Sequence, residues 1–195
     1  MKQLLIIHLV FAIMIYGTDN DKLAQTGFQF LSVSSDARAG GMADAMTTLT
    51  NGSASLFFNP AGLSKQTNLL DINFSSNNWI ADIKHDAFTL SVAPSESRYG
   101  VFGLSLLNVD YGELQGTVVW DNEVGYLDTE KFSPSAFAVG FGYGRSLSES
   151  FSIGMHIKKA YQQLGRSIIP DTDSSSTVTN NTSNATAFDF GTIYV

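Results

Sequence analysis

The chain has 195 residues, 44% of them hydrophobic and only 15% charged, and carries a net charge of −7. An ordinary soluble domain has about a quarter of its residues charged, so this chain is short of the groups needed to wet a whole surface. Its acidity and its lack of any Lys/Arg cluster exclude nucleic acid as a partner, and the absence of cysteine excludes disulfides, thiolate metal sites and cysteine lipidation.

At the N-terminus, Lys2 precedes "LLIIHLVFAIMIY" and polar "GTDNDK" follows. A basic residue, a short apolar core and a polar exit predict a signal peptide over 1–17, cleaved near Gly17. The alternative, a single membrane anchor, suffers from the shortness of the apolar stretch. No later run reaches the roughly 18 apolar residues of a spanning helix.

Residues 18–66 show no period of two. "SSDARAGGMADAMTTLTNGSASLFFNPAGL" mixes small residues, glycine pairs and short helical pieces, with Ser35 or Asp36 placed to cap a turn before "ARAGGMADAM". In Asn59-Pro60 the proline pushes Asn59 out of the helical region and fixes its own φ. Gly62 is expected to take a positive φ and reverse the chain.

From residue 70 onward the period is two. In "FSIGMHIKKAY", Phe151, Ile153, Met155 and Ile157 alternate with Ser152, Gly154, His156 and Lys158. In "SAFAVGFGYGRSL" the rings and Val139 alternate with alanine and glycine. "LLDINFS", "HDAFTLSVA", "YGVFGLSLLNV" and "TAFDFGTIYV" complete six predicted strands. Between them, 94–98 and 148–150 read as short turns, whereas roughly 76–85, 110–133 and 165–185 read as long polar loops. Strict alternation of short and long connections is the habit of outer-membrane barrels. Trp79, Tyr111, Trp120 and Tyr161 fall near one set of strand ends and Tyr99 and Tyr143 near the other, as aromatic girdles do. A soluble sandwich is the alternative for the same strands and rings. Because the smallest known barrels have eight strands, further strands are expected beyond Val195.

The residues quoted so far resemble a known family. "GFQFLSVSSDARAGGMADAMTTLTNGSASLFFNPAGLS" (27–64) is similar to the N-terminal signature of the PorV/PorQ family, relatives of the FadL-type outer-membrane transporters. "WIADIKHDAFTLSVA" (79–93) and "YGVFGLSLLNVDYGELQGT" (99–117) continue the likeness in order. The resemblance implies an all-β, transmembrane antiparallel β-barrel with an N-terminal hatch folded into its lumen. Signal 1–17, hatch 18–66 and partial barrel 67–195 would be its parts. The hatch motif Phe57, Phe58, Asn59, Pro60, Ala61, Gly62 and Leu63 would contact the lumen, with Leu56, Phe57, Phe58 and Leu63 held against the inner wall. A small-residue turn would use Arg38, Gly40, Gly41 and Met42. Where relatives read Gly-Met-Gly this chain has Gly41-Met42-Ala43, and the methyl argues against a tight glycine-dependent turn.

By the same resemblance the protein would sit in the outer membrane of a Gram-negative bacterium and serve type IX secretion, holding cargo proteins and handing them on for surface attachment or release. Its partners would be outer-membrane lipid and secreted cargo, with Asp121, Glu123, Asp128 and Glu130 of the acidic stretch 110–130 as outer contacts. Two alternatives remain: FadL-like passage of hydrophobic small molecules such as fatty acids, and a purely structural role.

No cofactor, metal site or catalytic group is expected. His156 shares a strand face with Ser152, but no ordered Ser/His/Asp motif accompanies them, and it reads as a solvated lumen histidine. His8 lies in the signal and His85 at a strand entrance, which leaves no metal constellation. Asp171 and Asp173 have the spacing that begins a calcium loop but lack its glycine and its closing glutamate. "GFGYG" lies inside a strand with no helix after it, unlike a dinucleotide loop.

Overall fold

A computed structural model describes residues 27–50, 52–95, 97–170 and 176–195. The expected signal peptide with His8, the first hatch residues to 26, and Asp171 and Asp173 lie outside these. The strands are β1 (Leu70–Asn78), β2 (Lys84–Val92), β3 (Val101–Asp110), β4 (Leu114–Val119), β5 (Tyr126–Phe132), β6 (Ser135–Ser146), β7 (Phe151–Pro170) and β8 (Ser176–Tyr194). Six of them form one antiparallel sheet in the order β1-β2-β3-β6-β7-β8, and β4 pairs with β5 alone. The chain is therefore all-β.

The alternation read in the sequence becomes two unlike faces, because successive side chains of a strand point opposite ways. One register row runs Ile72, Leu90, Leu104, Phe141, Ile157, Phe188 across all six strands. The row beside it runs Leu70, Val92, Phe102, Tyr143, Met155, Phe190. None of these side chains is buried. On the opposite face the rows are small or polar, as in Asp71, Ser91, Gly103, Gly142, His156, Asp189.

Residues 27–66 lie on that second face as short helical turns: Gln29–Ser32, Ala37–Gly41, Gly52–Phe57 and Pro60–Lys65. Against them the sheet buries its core. One cluster joins Phe30 to Ala87, Leu107, Val109, Ala136, Ala138 and Ala160, and a second joins Leu56 and Leu63 to Ala93 and Val101. The wall side chains are mostly alanine-sized, so the backbone of the N-terminal segment comes close to the sheet and supplies the larger groups itself.

Three sequence expectations are corrected. The polar stretch 110–133 contains the hairpin β4–β5, and the stretch 165–185 belongs mostly to β7 and β8, which are 20 and 19 residues long. The stretch 76–85 is strand apart from 79–83, so this connection is shorter than the one between β2 and β3, and the short–long alternation fails there. All three errors have one cause: polar residues were read as loop, whereas a strand rich in polar residues has no apolar contrast to reveal its period. Trp120 also departs from the expected girdle, since it lies at the far end of β4, away from the main sheet, next to the turn 120–125.

Candidate functional site

The Asn59-Pro60 turn is the point where the N-terminal segment is fastened to the wall. Asn59 is extended (φ −150°) and caps the helical turn Pro60–Lys65, its side-chain oxygen accepting from the Ala61 amide at 3.1 Å. Proline suits the first helical position because its missing N–H would be unpaired there anyway. The other end of the Asn59 amide donates to two carbonyls, Thr47 within the segment at 2.8 Å and Thr192 on β8 at 3.1 Å. One side chain thus shapes the turn, braces it and ties it to the sheet.

Glycines make the seat for this turn. Gly144, Gly154 and Gly191 are register partners across β6, β7 and β8. A Cβ on Gly144 would lie 2.9 Å from the Pro60 carbonyl oxygen; one on Gly154 would collide with the Pro60 carbonyl and the Ala61 amide, and one on Gly191 with Asn59 Oδ1. The bare backbone of three strands is what lets the Asn-Pro-Ala backbone lie flat on the sheet. Here glycine serves close approach.

Gly62 is a correction of the same kind. It sits inside the helical turn Pro60–Lys65, without the positive φ expected of it. Its lack of a side chain matters because a Cβ there would lie 2.7 Å from Ser55 Oγ. The left-handed residues occur earlier, at Ala43 (φ 51°) and Asp44 (φ 61°). A tight turn therefore follows Gly41-Met42 despite the methyl that argued against it.

Polar bonds fasten the rest of the segment. Asp36, one of the two predicted caps, accepts from the Ala39 amide at 3.0 Å. Asp71 Oδ1 accepts from the Ser53 amide at 2.8 Å and from its hydroxyl at 2.6 Å, and Thr89 donates to Ser53 Oγ at 2.9 Å. Gln66 accepts from the Ser91 hydroxyl, and the Phe28 amide donates to Gln162 Oε1 at 2.9 Å. Each of these buried polar groups finds a partner, which is the condition for burying it without loss.

Leu56, Pro60, Ala61 and Leu63 are buried, but Phe57 and Phe58 are only half-buried, against the expectation that they would be held out of water. The reason is the space around them. A cavity of about 190 Å³ lies under Leu31, Val33, Phe57 and Phe58, with Ser105 and Lys158 in its lining. A second, of about 370 Å³, runs between Thr47 and Pro60 on one side and Lys158, Asp189 and Phe190 on the other. Arg38, Gly40, Gly41 and Met42 lie together on the exposed side of the helix Ala37–Gly41 and its cap. Asp121 and Glu123 sit in the turn of the β4–β5 hairpin and Asp128 and Glu130 on β5, all exposed.

His156 is the residue that sequence reasoning misplaced. It is 1% exposed rather than solvated, and its partner is Ser105, whose Oγ lies 2.9 Å from Nε2. Ser152 instead pairs with Ser146 at 3.0 Å. On the other side of the ring, Nδ1 lies 3.4 Å from Asp189 Oδ2, an oxygen that Lys158 Nζ holds at 2.7 Å. The signal for this group was present in the alternation, since Ser105, Gly140 and His156 all fall on inward positions. Their contact depends on a register across three strands that no local pattern specifies.

No protein-family model matches the chain, and no curated protein matches it.

Proposed function

We propose that this chain forms wall and hatch of an outer-membrane β-barrel of the PorV/PorQ type, serving type IX secretion by binding cargo proteins and passing them on. The observation that carries the membrane part is the exposed sheet face. Two adjacent rows of six large apolar side chains face away from the core, while the buried face is small and polar. Water would disfavour so large a continuous apolar patch, and a bilayer favours it; apolar outside and polar inside is the pattern of a transmembrane barrel. Lys159, which interrupts the neighbouring row, reaches Asn184 Oδ1 at 2.9 Å, as an amphipathic side chain does when it carries its charge out of an apolar layer.

The cargo part rests on the sequence resemblance and on the β4–β5 hairpin. The hairpin stands apart from the main sheet and exposes Val119, Trp120, Val124 and Tyr126 beside Asp121, Glu123, Asp128 and Glu130. Exposed rings on a two-stranded arm suit the core of a contact with another protein surface, with the carboxylates at its polar rim.

The test is co-purification of the tagged protein from outer membranes in mild detergent. Secreted proteins that share a C-terminal domain are expected at near-equal amounts. They should be lost when 113–132 is replaced by a short Gly-Ser turn. Unchanged cargo capture by that variant overturns the hairpin's role. The cavities beside Phe57 and Phe58 favour a second reading, FadL-like passage of hydrophobic molecules. Co-purified acyl lipid without protein cargo would support it, together with altered lipid uptake and normal secretion in Phe58→Ala.

A further inference from the structure

Beneath the half-buried rings of residues 57 and 58, three side chains from three strands stand in the spatial order of an acyl-transfer site. Ser105 on β3 bonds His156 Nε2 at 2.9 Å, and His156 on β7 turns Nδ1 toward Asp189 on β8 at 3.4 Å. The strand between β3 and β7 contributes no obstacle: Gly140 is the register partner of Ser105, and a Cβ there would press against both Ser105 Oγ (2.6 Å) and the His156 ring. A glycine at this position is what allows the hydroxyl and the imidazole to meet.

The carboxylate on the far side of the ring favours the useful tautomer. Buried His156 Nδ1 has no hydrogen-bond partner at ordinary geometry, and the acceptor it faces is Asp189 Oδ2. A proton on Nδ1 directed at that carboxylate leaves Nε2 as the acceptor for the Ser105 hydroxyl, which is the arrangement a general base requires. Nucleophile–base–carboxylate contacts are commonly looser before substrate binds, so 3.4 Å is compatible with such a role. Above the ring lies the Leu56 backbone, and beside it Lys158 shares the Asp189 carboxylate.

Ser105 does not end in packed core. It lines the cavity of about 190 Å³ together with Leu31, Val33, Phe57 and Phe58, the polar Ser32, Ser34 and Ser35, and the charged Asp44 and Lys158. Apolar and polar walls side by side suit a short acyl chain on a polarised carbonyl.

We propose that Ser105, His156 and Asp189 form a nucleophile, base and orienting carboxylate that hydrolyse short-chain carboxylic esters entering this cavity. Ser105 Oγ bonds to the ester carbonyl carbon while its proton passes to His156 Nε2. The carbon–alkoxy bond then breaks and the departing oxygen takes that proton, leaving as the alcohol. Water attacks the acyl-serine, gives a proton to Nε2, and releases the carboxylic acid as Ser105 Oγ is reprotonated. Lys158 is the cation available to the carbonyl oxygen as its charge develops.

The experiment treats the folded protein, extracted from outer membranes in mild detergent, with a fluorophosphonate and maps the adduct by peptide mass spectrometry. p-Nitrophenyl butyrate hydrolysis is followed in parallel. The expected result is an adduct on Ser105, with turnover abolished in Ser105→Ala, slowed at least about a hundredfold in His156→Gln, and unchanged in Ser152→Ala. Folding of each variant is checked by heat-dependent electrophoretic mobility. No adduct on Ser105 in the unmodified protein overturns the proposal, whatever the variants do. An adduct that forms equally fast in folded His156→Gln also overturns it, because the histidine would then be a structural neighbour only. Either failure leaves the membrane-barrel reading untouched, since that reading rests on the opposite face of the sheet.

Discussion

The two faces of the six-stranded sheet use the same backbone for opposite purposes. One is crowded with rings and branched chains that touch little of the described protein, in rows such as Ile72 to Phe188. The other is nearly bare, with Gly142, Gly144, Gly154 and Gly191, yet it is the face that is covered. Large side chains on a surface and small ones in the interior invert the usual economy of a water-soluble sheet. The bare face receives the backbone of residues 27–66, and the proposed bilayer is the partner that would suit the crowded face.

The sharpest way to break this comparison is a charge at the centre of the crowded face. Phe141 lies mid-row and 52% exposed. Phe141→Arg is expected to cost about 2–4 kcal/mol in denaturant unfolding from lipid vesicles, the penalty for a cation facing the middle of a bilayer. If that face met water, an exposed substitution would change stability by only about 0.5 kcal/mol. The smaller figure would refute the membrane reading.

On the bare face the corresponding change adds a single methyl. Gly154→Ala would drive a Cβ into the Pro60 carbonyl and the Ala61 amide, and backbone cannot swing aside as a side chain can. About 1–3 kcal/mol of destabilisation is expected, as for other overpacked sites, with faster proteolysis of residues 27–66 as its local sign. Gly41→Ala is the control, since nothing lies within 4 Å of a Cβ there. Equal effects from the two would mean that the glycine seat has no special role.

Asn59→Ala tests the same seat from the hatch side. It removes the cap on Ala61 and both carbonyl bonds, to Thr47 and Thr192, while the turn keeps its proline. Loss of a cap costs about 1 kcal/mol. Asn59→Asp keeps the accepting oxygen but loses the donor, so comparing the two variants by thermal unfolding separates the cap from the two carbonyl bonds, to Thr47 and to Thr192 on β8. If Asp restores full stability, the Thr192 bond contributes nothing.

How much of this was legible in the sequence follows from the same contrast of faces. Strands such as β3 and β6 announced themselves because apolar and small residues alternate over their whole length. β4 and β5 show no clean alternation of apolar and polar residues, and the pairing of β4 with β5 and of the far parts of β7 and β8 follows from backbone hydrogen bonds that leave no trace in hydropathy. The Asn-Pro turn was legible because proline and asparagine act locally. Its glycine seat was visible only as an inward phase of small residues, with nothing to say that the partner was residues 59 to 61. The Ser105–His156 pair lay further out of reach, for it joins residues 51 apart in sequence through a third strand.

The residue that best joins sequence to structure is Ala43. The methyl there argues against a tight turn, yet the turn forms, with Ala43 at φ 51° and Asp44 at φ 61°. Left-handed backbone costs a residue with a Cβ about 1 kcal/mol, so the surrounding contacts must hold it. Met46, 1% exposed, is buried just after the turn, and the Asp44 amide donates to the Ala39 carbonyl at 2.8 Å. Ala43→Gly should relieve the strain but also free the unfolded chain, and the two effects oppose each other. A net gain of about 0.5 kcal/mol is expected because the steric term is the larger of the two. A loss of stability on thermal unfolding would mean that the added freedom of the unfolded chain outweighs the strain relieved at Ala43.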